Sequence, residues 1–381
     1  MRIAIDARIA HYTGAGIGQY AVHLAQALAR RDTTHHYLLL QSRKDRRLLV
    51  DEPHVQRESL WTPSHHRWEQ GLLAAELKAR SALRGLRIDL LHSTDFIPPL
   101  RVHSFKSVIT VHDLAFLRWP HFLTEDSARY YGQVDAAVER ADHIIAVSES
   151  TKNDLVKLLG APRDKITVVY EAADPIYRPM PREEALASMR SKYPLPEEFI
   201  LFVSTIEPRK NIATLLHAYR RLLDSYKVSA SLVLAGATGW LSQQIFDTVE
   251  ELGLQQHVTF LGRVQNGDLV YLYNLARCLA HPAYYEGFGL TPLEALACGT
   301  PAVVSNVSSL PEVVGDAALL IDPNNEEELA IALHRLLCDD GLRASLRAKG
   351  LARARTFTWE RAAEETLAVY QRTCHQTGGA P

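Results

Sequence analysis

The sequence predicts an α/β chain built as two Rossmann-like, doubly wound domains facing a central cleft. Short apolar runs alternate with helix-period patterns along nearly the whole length, as parallel sheets with helices on both faces require. A proline-dense break divides that alternation, and 381 residues exceed what one hydrophobic core usually supports.

In the first domain, residues 1–172, strand-like runs fall at Ile3 to Asp6, Tyr37 to Leu40, Ile88 to His92, Ser107 to Val111, Ile144 to Val147 and Ile166 to Tyr170. They are short and Leu-rich or β-branched, as strands buried on both faces should be. Helical spacing fills the gaps, as in Ile17 to Arg30, where Ile17, Ala21, Leu24, Ala25 and Leu28 share one face. Pro175, Pro179, Pro181, Pro194 and Pro196 then crowd around one short charged helix, so residues 173–198 read as an interdomain linker. The alternation restarts in the second domain, residues 199–357, with strands at Phe199 to Thr205, Ser231 to Ala235, Val258 to Leu261, Leu279 to Ala280, Ala302 to Ser305 and Leu319 to Ile321. A last helix, Thr358 to Arg372, occupies residues 358–381.

Composition narrows the function. A formal charge of −2 argues against a protein built chiefly to hold nucleic acid. Cys278, Cys298, Cys338 and Cys374 are widely spaced, so neither a zinc site nor a disulfide framework is expected, and a reducing cytoplasm suits them. No run reaches membrane-spanning length and the N-terminus reads as a strand, so any membrane contact is expected to be peripheral. Lys78, Arg80, Arg84 and Arg87 are candidates for touching anionic lipid. The doublets His35-His36 and His65-His66 read as surface.

The stretch Tyr285 to Gly299 carries the strongest chemical signal. Glu286 and Glu294 stand eight positions apart across a turn in which Gly287 and Gly289 let a ligand approach bare backbone. Thr291, Pro292 and Glu294 have the spacing of an N-cap, a first helical residue and a capping-box acid, and Gly299 offers the stop. Arg209 and Lys210 lie between a strand's carboxyl end and a helix that Asn211 can cap, where a diphosphate would meet two cations and free N–H donors. A solvated basic pair is the competing reading. His112, directly after a strand, can donate to a sugar hydroxyl or can be structural. Gly14, Gly16 and Gly18 form a loop before the helix containing Tyr20, but Gln19 occupies the third glycine position of a dinucleotide fingerprint, and the match fails.

Taken together, the chain resembles the retaining glycosyltransferases of family 4, which have the two-domain GT-B fold. The resemblance runs through Gly14-Ala-Gly-Ile-Gly-Gln-Tyr20, Val111-His-Asp-Leu114, Val147-Ser-Glu-Ser150, Thr205-Ile-Glu-Pro-Arg-Lys-Asn211, Phe260-Leu-Gly262, the E-x7-E of Glu286 and Glu294, and Ser309-Leu-Pro-Glu-Val-Val-Gly-Asp316. It implies that His112, Arg209, Lys210 and Glu286 are catalytic. It also implies that Gly16, Arg209, Lys210, Glu286, Gly287, Phe288, Gly289, Leu290 and Glu294 bind the donor, with Gly14, Gly16, Gly18 and Tyr20 on the acceptor side. Glu294 would hold the ribose and Glu286 the transferred sugar, Arg209 and Lys210 the diphosphate, while the last helix crosses back to the first domain. No cofactor or metal is expected. The resemblance is to bacterial mannosyltransferases of cell-surface polysaccharide synthesis, with GDP-mannose as favoured donor, a UDP-sugar as another, and a glycan or lipid-linked sugar as acceptor. Ser204, where the family often has glycine, and Tyr170 to Asp174, where many members have Asn-Gly-Val-Asp, depart from the pattern. An epimerase, a sugar phosphorylase and a non-catalytic sugar-nucleotide binder are the alternatives.

Overall fold

A computed structural model describes residues 1–14, 16–100, 105–120, 125–189, 191–239 and 242–375. Ala15 of the glycine loop, Arg190 of the expected linker and residues 376–381 of the last segment lie outside the described residues. The chain divides into two compact units, the first comprising Met1–Glu171 and the segment from Thr358 onward, the second Ala172–Phe357.

Among the described residues the first unit has seven strands: β1 (Arg2–Asp6), β2 (His36–Ser42), β3 (Val55–Leu60), β4 (Leu90–Ser93), β5 (Lys106–Val111), β6 (His143–Ala146) and β7 (Ile166–Val168). They lie in the order β3-β2-β1-β4-β5-β6-β7, every pair parallel, so the chain reverses its direction of sheet-building between β1 and β4. Helices α1 (Gly16–Arg31), α2 (Glu69–Arg84), α3 (Ala115–Arg118), α4 (Glu125–Tyr131), α5 (Val134–Arg140) and α6 (Glu149–Leu159) intervene. Leu73 and Leu77 of α2 pack on Ala4, Leu38, Leu40 and Leu91 of the sheet, each burial contributing about 1–3 kcal/mol.

Strand β3 is an addition to the predicted set. It sits at the sheet edge with one neighbour, and its Val-Gln-Arg-Glu-Ser-Leu sequence is only partly covered, so it carries no continuous apolar run.

The second unit repeats the plan with β8 (Phe199–Val203), β9 (Ser231–Ala235), β10 (Val258–Gly262), β11 (Cys278–His281), β12 (Ala302–Ser305) and β13 (Leu319–Ile321). Their order, β10-β9-β8-β11-β12-β13, is again all parallel, and the reversal falls between β8 and β11. Its helices are α7 (Arg182–Met189), α8 (Ile212–Ser225), α9 (Gln243–Glu251), α10 (Asn266–Leu275), α11 (Leu290–Cys298), α12 (Leu310–Val314), α13 (Glu326–Cys338) and α14 (Asp340–Ala354). The apolar stripe of α8 (Ile212, Leu215, Leu216, Tyr219, Leu222) lies fully buried on this sheet.

Residues 173–198, expected as a linker, are built into the second unit instead. Ala185 and Met189 of α7 are completely buried, the Met180 N–H donates to Asn274 Oδ1 at 2.9 Å, and Arg182 donates to the Leu275 carbonyl at 3.0 Å. A short helix with an apolar side has to bury it, and here the end of α10 supplies the partner. The final helix, α15 (Trp359–His375), packs on α1 of the first unit, burying Ala362, Ala363, Val369 and Tyr370.

Candidate functional site

In open parallel sheets, ligands bind beyond the carboxyl ends of the strands at the point of reversal. In the second unit that point is framed by the segments following β8 and β11, which carry Arg209 and Lys210 on one side and His281 to Glu286 on the other. Their side chains converge on one carboxylate. Lys210 Nζ lies 2.6 Å and His281 Nε2 2.9 Å from Glu286 Oε1, and Arg209 Nη1 lies 3.5 Å from Glu286 Oε2. Arg209 is held on its other edge by Glu207 at 2.9 Å and donates from Nη1 to the Tyr285 carbonyl at 3.0 Å.

The loop itself is tied down by one backbone bond and by two serine hydroxyls. The Tyr284 N–H donates to the Arg209 carbonyl, the Glu286 N–H to Ser308 Oγ, and Ser309 Oγ to the carbonyls of Glu286 and Phe288. Burial opposes ionisation of Glu286, but the Lys210 charge, the His281 hydrogen bond and the Arg209 charge outweigh it and hold the carboxyl well below its ordinary value. His281 shifts the other way, down, because burial disfavours its cation more than Glu286 favours it. Neutral His281 therefore donates from Nε2 to an ionised Glu286.

Asn211 does precede α8, but its left-handed backbone (φ 59°) and the absence of a capping bond from its side chain give it another task. Its amide donates to the carbonyls of Pro282 and Pro323 at 3.0 and 2.7 Å, fastening the loop after β8 to the loops after β11 and β13.

The capping box expected at Thr291 does not form. Gly289, at φ 113°, is the residue before α11, so the helix begins at Leu290 and Pro292 is its third residue. A Cβ at Gly289 would meet Leu310 Cδ2 at 3.0 Å in a backbone conformation that side chains rarely adopt, so glycine is needed there. Gly299, with φ 75°, ends the helix as expected. Freed from capping, Glu294 turns to the hydroxyls of Tyr273, at 2.8 Å, and Tyr177. Burial raises its carboxyl to about 8, with the two tyrosine bonds only partly offsetting this. Phe288 is buried against Phe357, ring centroids 5.7 Å apart, so of this residue only the backbone is placed for a ligand. Gly287 is buried beside it, and Leu290 opens the helix, half-buried.

The remaining predicted residues belong to the first unit. His112 follows β5, with Nδ1 2.9 Å from Glu171 Oε1 and Nε2 2.9 Å from the Thr94 carbonyl. Burial lowers its proton affinity, but Glu171, Asp95 and that carbonyl raise it further, above the usual value; with an acceptor at each nitrogen, both carry protons. Both ring nitrogens are thus engaged within the unit. Tyr20, expected on the acceptor side, is 1% exposed and bonds Thr110 Oγ1 at 2.9 Å while its ring meets His112 edge-on, so it supports His112 from the core. Gly18 has a packing reason of its own: a Cβ would fall 2.1 Å from the Thr13 carbonyl oxygen. Gly14 and Gly16 are exposed at the start of α1.

One further sequence reading changes, and one site residue was not singled out in the sequence. Arg80, proposed for lipid, is only 12% exposed and paired with Glu58 and Glu76. Of the two histidine doublets read as surface, His36, His65 and His66 are exposed and His35 is half-buried, with His65 bonded to Asp95 at 2.7 Å and His35 to Asp32 at 2.5 Å. His281 was missed, although it ends a strand at the reversal point just as His112 follows one. Among the described residues no cluster of three or more His, Cys, Asp or Glu has a metal-holding arrangement, and no helix is long and apolar enough to cross a membrane.

Comparison with known proteins agrees with this arrangement. Residues 187–353 match the family model described as Glycosyl transferases group 1, and residues 14–176 match that of Glycosyltransferase Family 4. O-antigen chain mannosyltransferase B of Escherichia coli is 32% identical over 390 residues, covering 97% of this chain and 100% of the relative. Among solved structures, sucrose-phosphate synthase from Thermosynechococcus elongatus superposes with a TM-score of 0.80 at 24% identity, covering 99% of this chain and 100% of that one. Anabaena HepE in complex with UDP-glucose superposes with a TM-score of 0.72 at 19% identity, covering 98% of this chain and 100% of that one. Two doubly wound parallel-sheet units, the charged cluster at the second reversal point and these matches make one conclusion: the chain belongs to glycosyltransferase family 4 and is a glycosyltransferase of the GT-B fold.

Proposed function

We propose that the chain is a retaining mannosyltransferase that moves mannose from GDP-mannose to a hydroxyl of a glycan or lipid-linked acceptor in cell-surface polysaccharide synthesis, without a metal ion. The observation that carries this reading is the grip of Lys210, Arg209 and His281 on Glu286 at the carboxyl ends of β8 and β11. The full-length likeness to an O-antigen mannosyltransferase supports mannose as the sugar.

In this reading the donor diphosphate competes with Glu286 for Lys210 and Arg209. As it binds, the cations turn to the phosphates and Glu286 is released to accept hydrogen bonds from the sugar. The bond from C1 to the leaving phosphate oxygen breaks while the acceptor oxygen bonds C1 on the same face, and the acceptor proton passes to that phosphate oxygen. Negative charge grows on the diphosphate as the bond stretches, so cations already held at the strand ends favour the transition state over the ground state. Glu286 positions the sugar and His281 holds Glu286. Glu294, on α11, takes the ribose hydroxyls.

The test is transfer from GDP-mannose to oligomannoside acceptors in the presence of EDTA, with the product's anomeric configuration read by NMR. An α-linked product formed in EDTA is expected; a β-linked product overturns retention, and loss of activity restored by a divalent ion overturns metal independence. The UDP-glucose held by the structurally similar HepE makes UDP-glucose the second donor to assay. Its use in place of GDP-mannose would change the donor while leaving the diphosphate site in force.

A further inference from the structure

The reversal point of the first sheet holds a second polar cluster. Asp6 ends β1 and Ser93 ends β4, and the two are register partners across the β1–β4 pair. Around them a small pocket is lined by Glu69, Thr94, Asp95 and Tyr130. Arg8 is wholly buried behind it, bonding both oxygens of Asp6 at 2.9 and 2.6 Å, Glu69 Oε1 at 2.6 Å and the Thr62 carbonyl at 2.9 Å. Asp95 accepts from His65 Nε2 at 2.7 Å and from the Tyr130 hydroxyl at 3.3 Å, and the Tyr130 and His65 rings lie 4.6 Å apart.

One group in this lining is unanswered. Ser93, 2% exposed, has a buried hydroxyl with no hydrogen-bond partner among the described residues. A buried hydroxyl without a partner is costly, so its persistence at a pocket wall points to a partner that arrives from outside. The space admits a hydroxyl-sized group. Three carboxylates surround it and the Arg8 donors are spent on Asp6, Glu69 and the Thr62 carbonyl, so a phosphate or carboxylate would be repelled. A hydroxyl, able both to accept from Ser93 and to donate to Asp95, fits.

We infer that the pocket between Asp6, Glu69, Ser93 and Asp95 is a hydroxyl-binding subsite for a neutral sugar residue of the acceptor, read by Ser93. The subsite rests on the reading of this chain as a sugar transferase with a glycan acceptor, and it extends that reading by excluding an anionic sugar at this position. The Tyr130 ring supplies an apolar wall beside the polar groups, as sugar sites require.

The experiment titrates the full chain with methyl α-mannoside by saturation-transfer NMR, with mannose 6-phosphate as the anionic counterpart and GDP binding measured in parallel. Saturable binding of methyl α-mannoside is expected, weakened about tenfold in Ser93→Ala by the loss of one hydrogen bond. The thermal midpoint of Ser93→Ala should equal or exceed that of the wild type, because the free chain loses no bond. Mannose 6-phosphate should compete poorly. The inference is overturned by equal mannoside affinity in wild type and Ser93→Ala, by no saturable binding to the wild type, by equal competition from mannose 6-phosphate, or by a lowered midpoint with binding unchanged. GDP binding without mannoside binding sinks the subsite alone, whereas mannoside binding without GDP binding sinks the donor reading alone.

Discussion

The reversal points of the two sheets share one strand order and differ in where they keep their cations. In the first unit Arg8 is fully buried, with its donors divided between two carboxylates and two carbonyls. In the second, the Arg209 and Lys210 side chains are 20% and 10% exposed and meet Glu286 from the strand ends. A cation enclosed on every side is part of the structure, since its removal strands the carboxylates around it. A cation with an exposed edge can exchange one anion for another. The same scaffold thus provides an enclosed structural arginine in one unit and two partly exposed cations, proposed to meet the donor diphosphate, in the other, and burial makes the difference.

Removing one cation from each unit should give the largest and most different effects. Arg8→Ala leaves Asp6 and Glu69 buried without their partner and should cost about 3–5 kcal/mol in denaturant unfolding, enough to unfold the first unit. Lys210→Ala and Arg209→Ala should stay folded by circular dichroism and lose kcat by about 10²–10³, because the diphosphate's growing charge goes unmet. If Arg8→Ala folds normally and Lys210→Ala unfolds, burial does not separate the two roles.

Two further substitutions have smaller expected effects. His281→Ala removes one of the groups on Glu286 and should lower kcat by roughly tenfold, the worth of one hydrogen bond to a charged group. Glu294 tests the stability side. Its carboxyl is raised to about 8 by burial, so the folded chain resists an ionisation that the unfolded chain undergoes near the ordinary value. The resulting destabilisation is absent below that ordinary value, grows with rising pH, and is complete above about 8. Glu294→Gln should therefore raise the melting temperature at pH 8.5, by about 2–4 °C for each kcal/mol of relieved destabilisation, and by less at pH 5, while weakening nucleotide binding. A variant less stable at pH 8.5 than the wild type would contradict this.

Much of the arrangement was legible because strand ends and periodicity are local properties. Every predicted strand is present, and Arg209, Lys210 and Glu286 stand together because β8 and β11 are adjacent at the reversal. What escaped depended on tertiary partners. Strand β3 is a polar edge strand with no apolar run, and α7 and the residues before it find their partners more than 90 residues along the chain, on α10. The cap of α11 shifted because Gly289 can take a backbone conformation that places Thr291 inside the helix, a choice Thr-Pro-Leu-Glu spacing does not reveal. Tyr20 looked like a loop-side ligand contact only because nothing in sequence showed Thr110 and His112 waiting above it. Asp6, Glu69 and Ser93 come from three separate segments, so no motif could have joined them.

The proposed competition of Glu286 and the donor diphosphate for Lys210 and Arg209 can be read by calorimetric titration with GDP. Lys210→Ala should bind GDP more weakly than the wild type by about tenfold or more. Glu286→Gln, with both cations freed from their carboxylate, should bind GDP at least as tightly as the wild type while losing transfer. GDP affinity unchanged in Lys210→Ala, or markedly weakened in Glu286→Gln, would contradict the account.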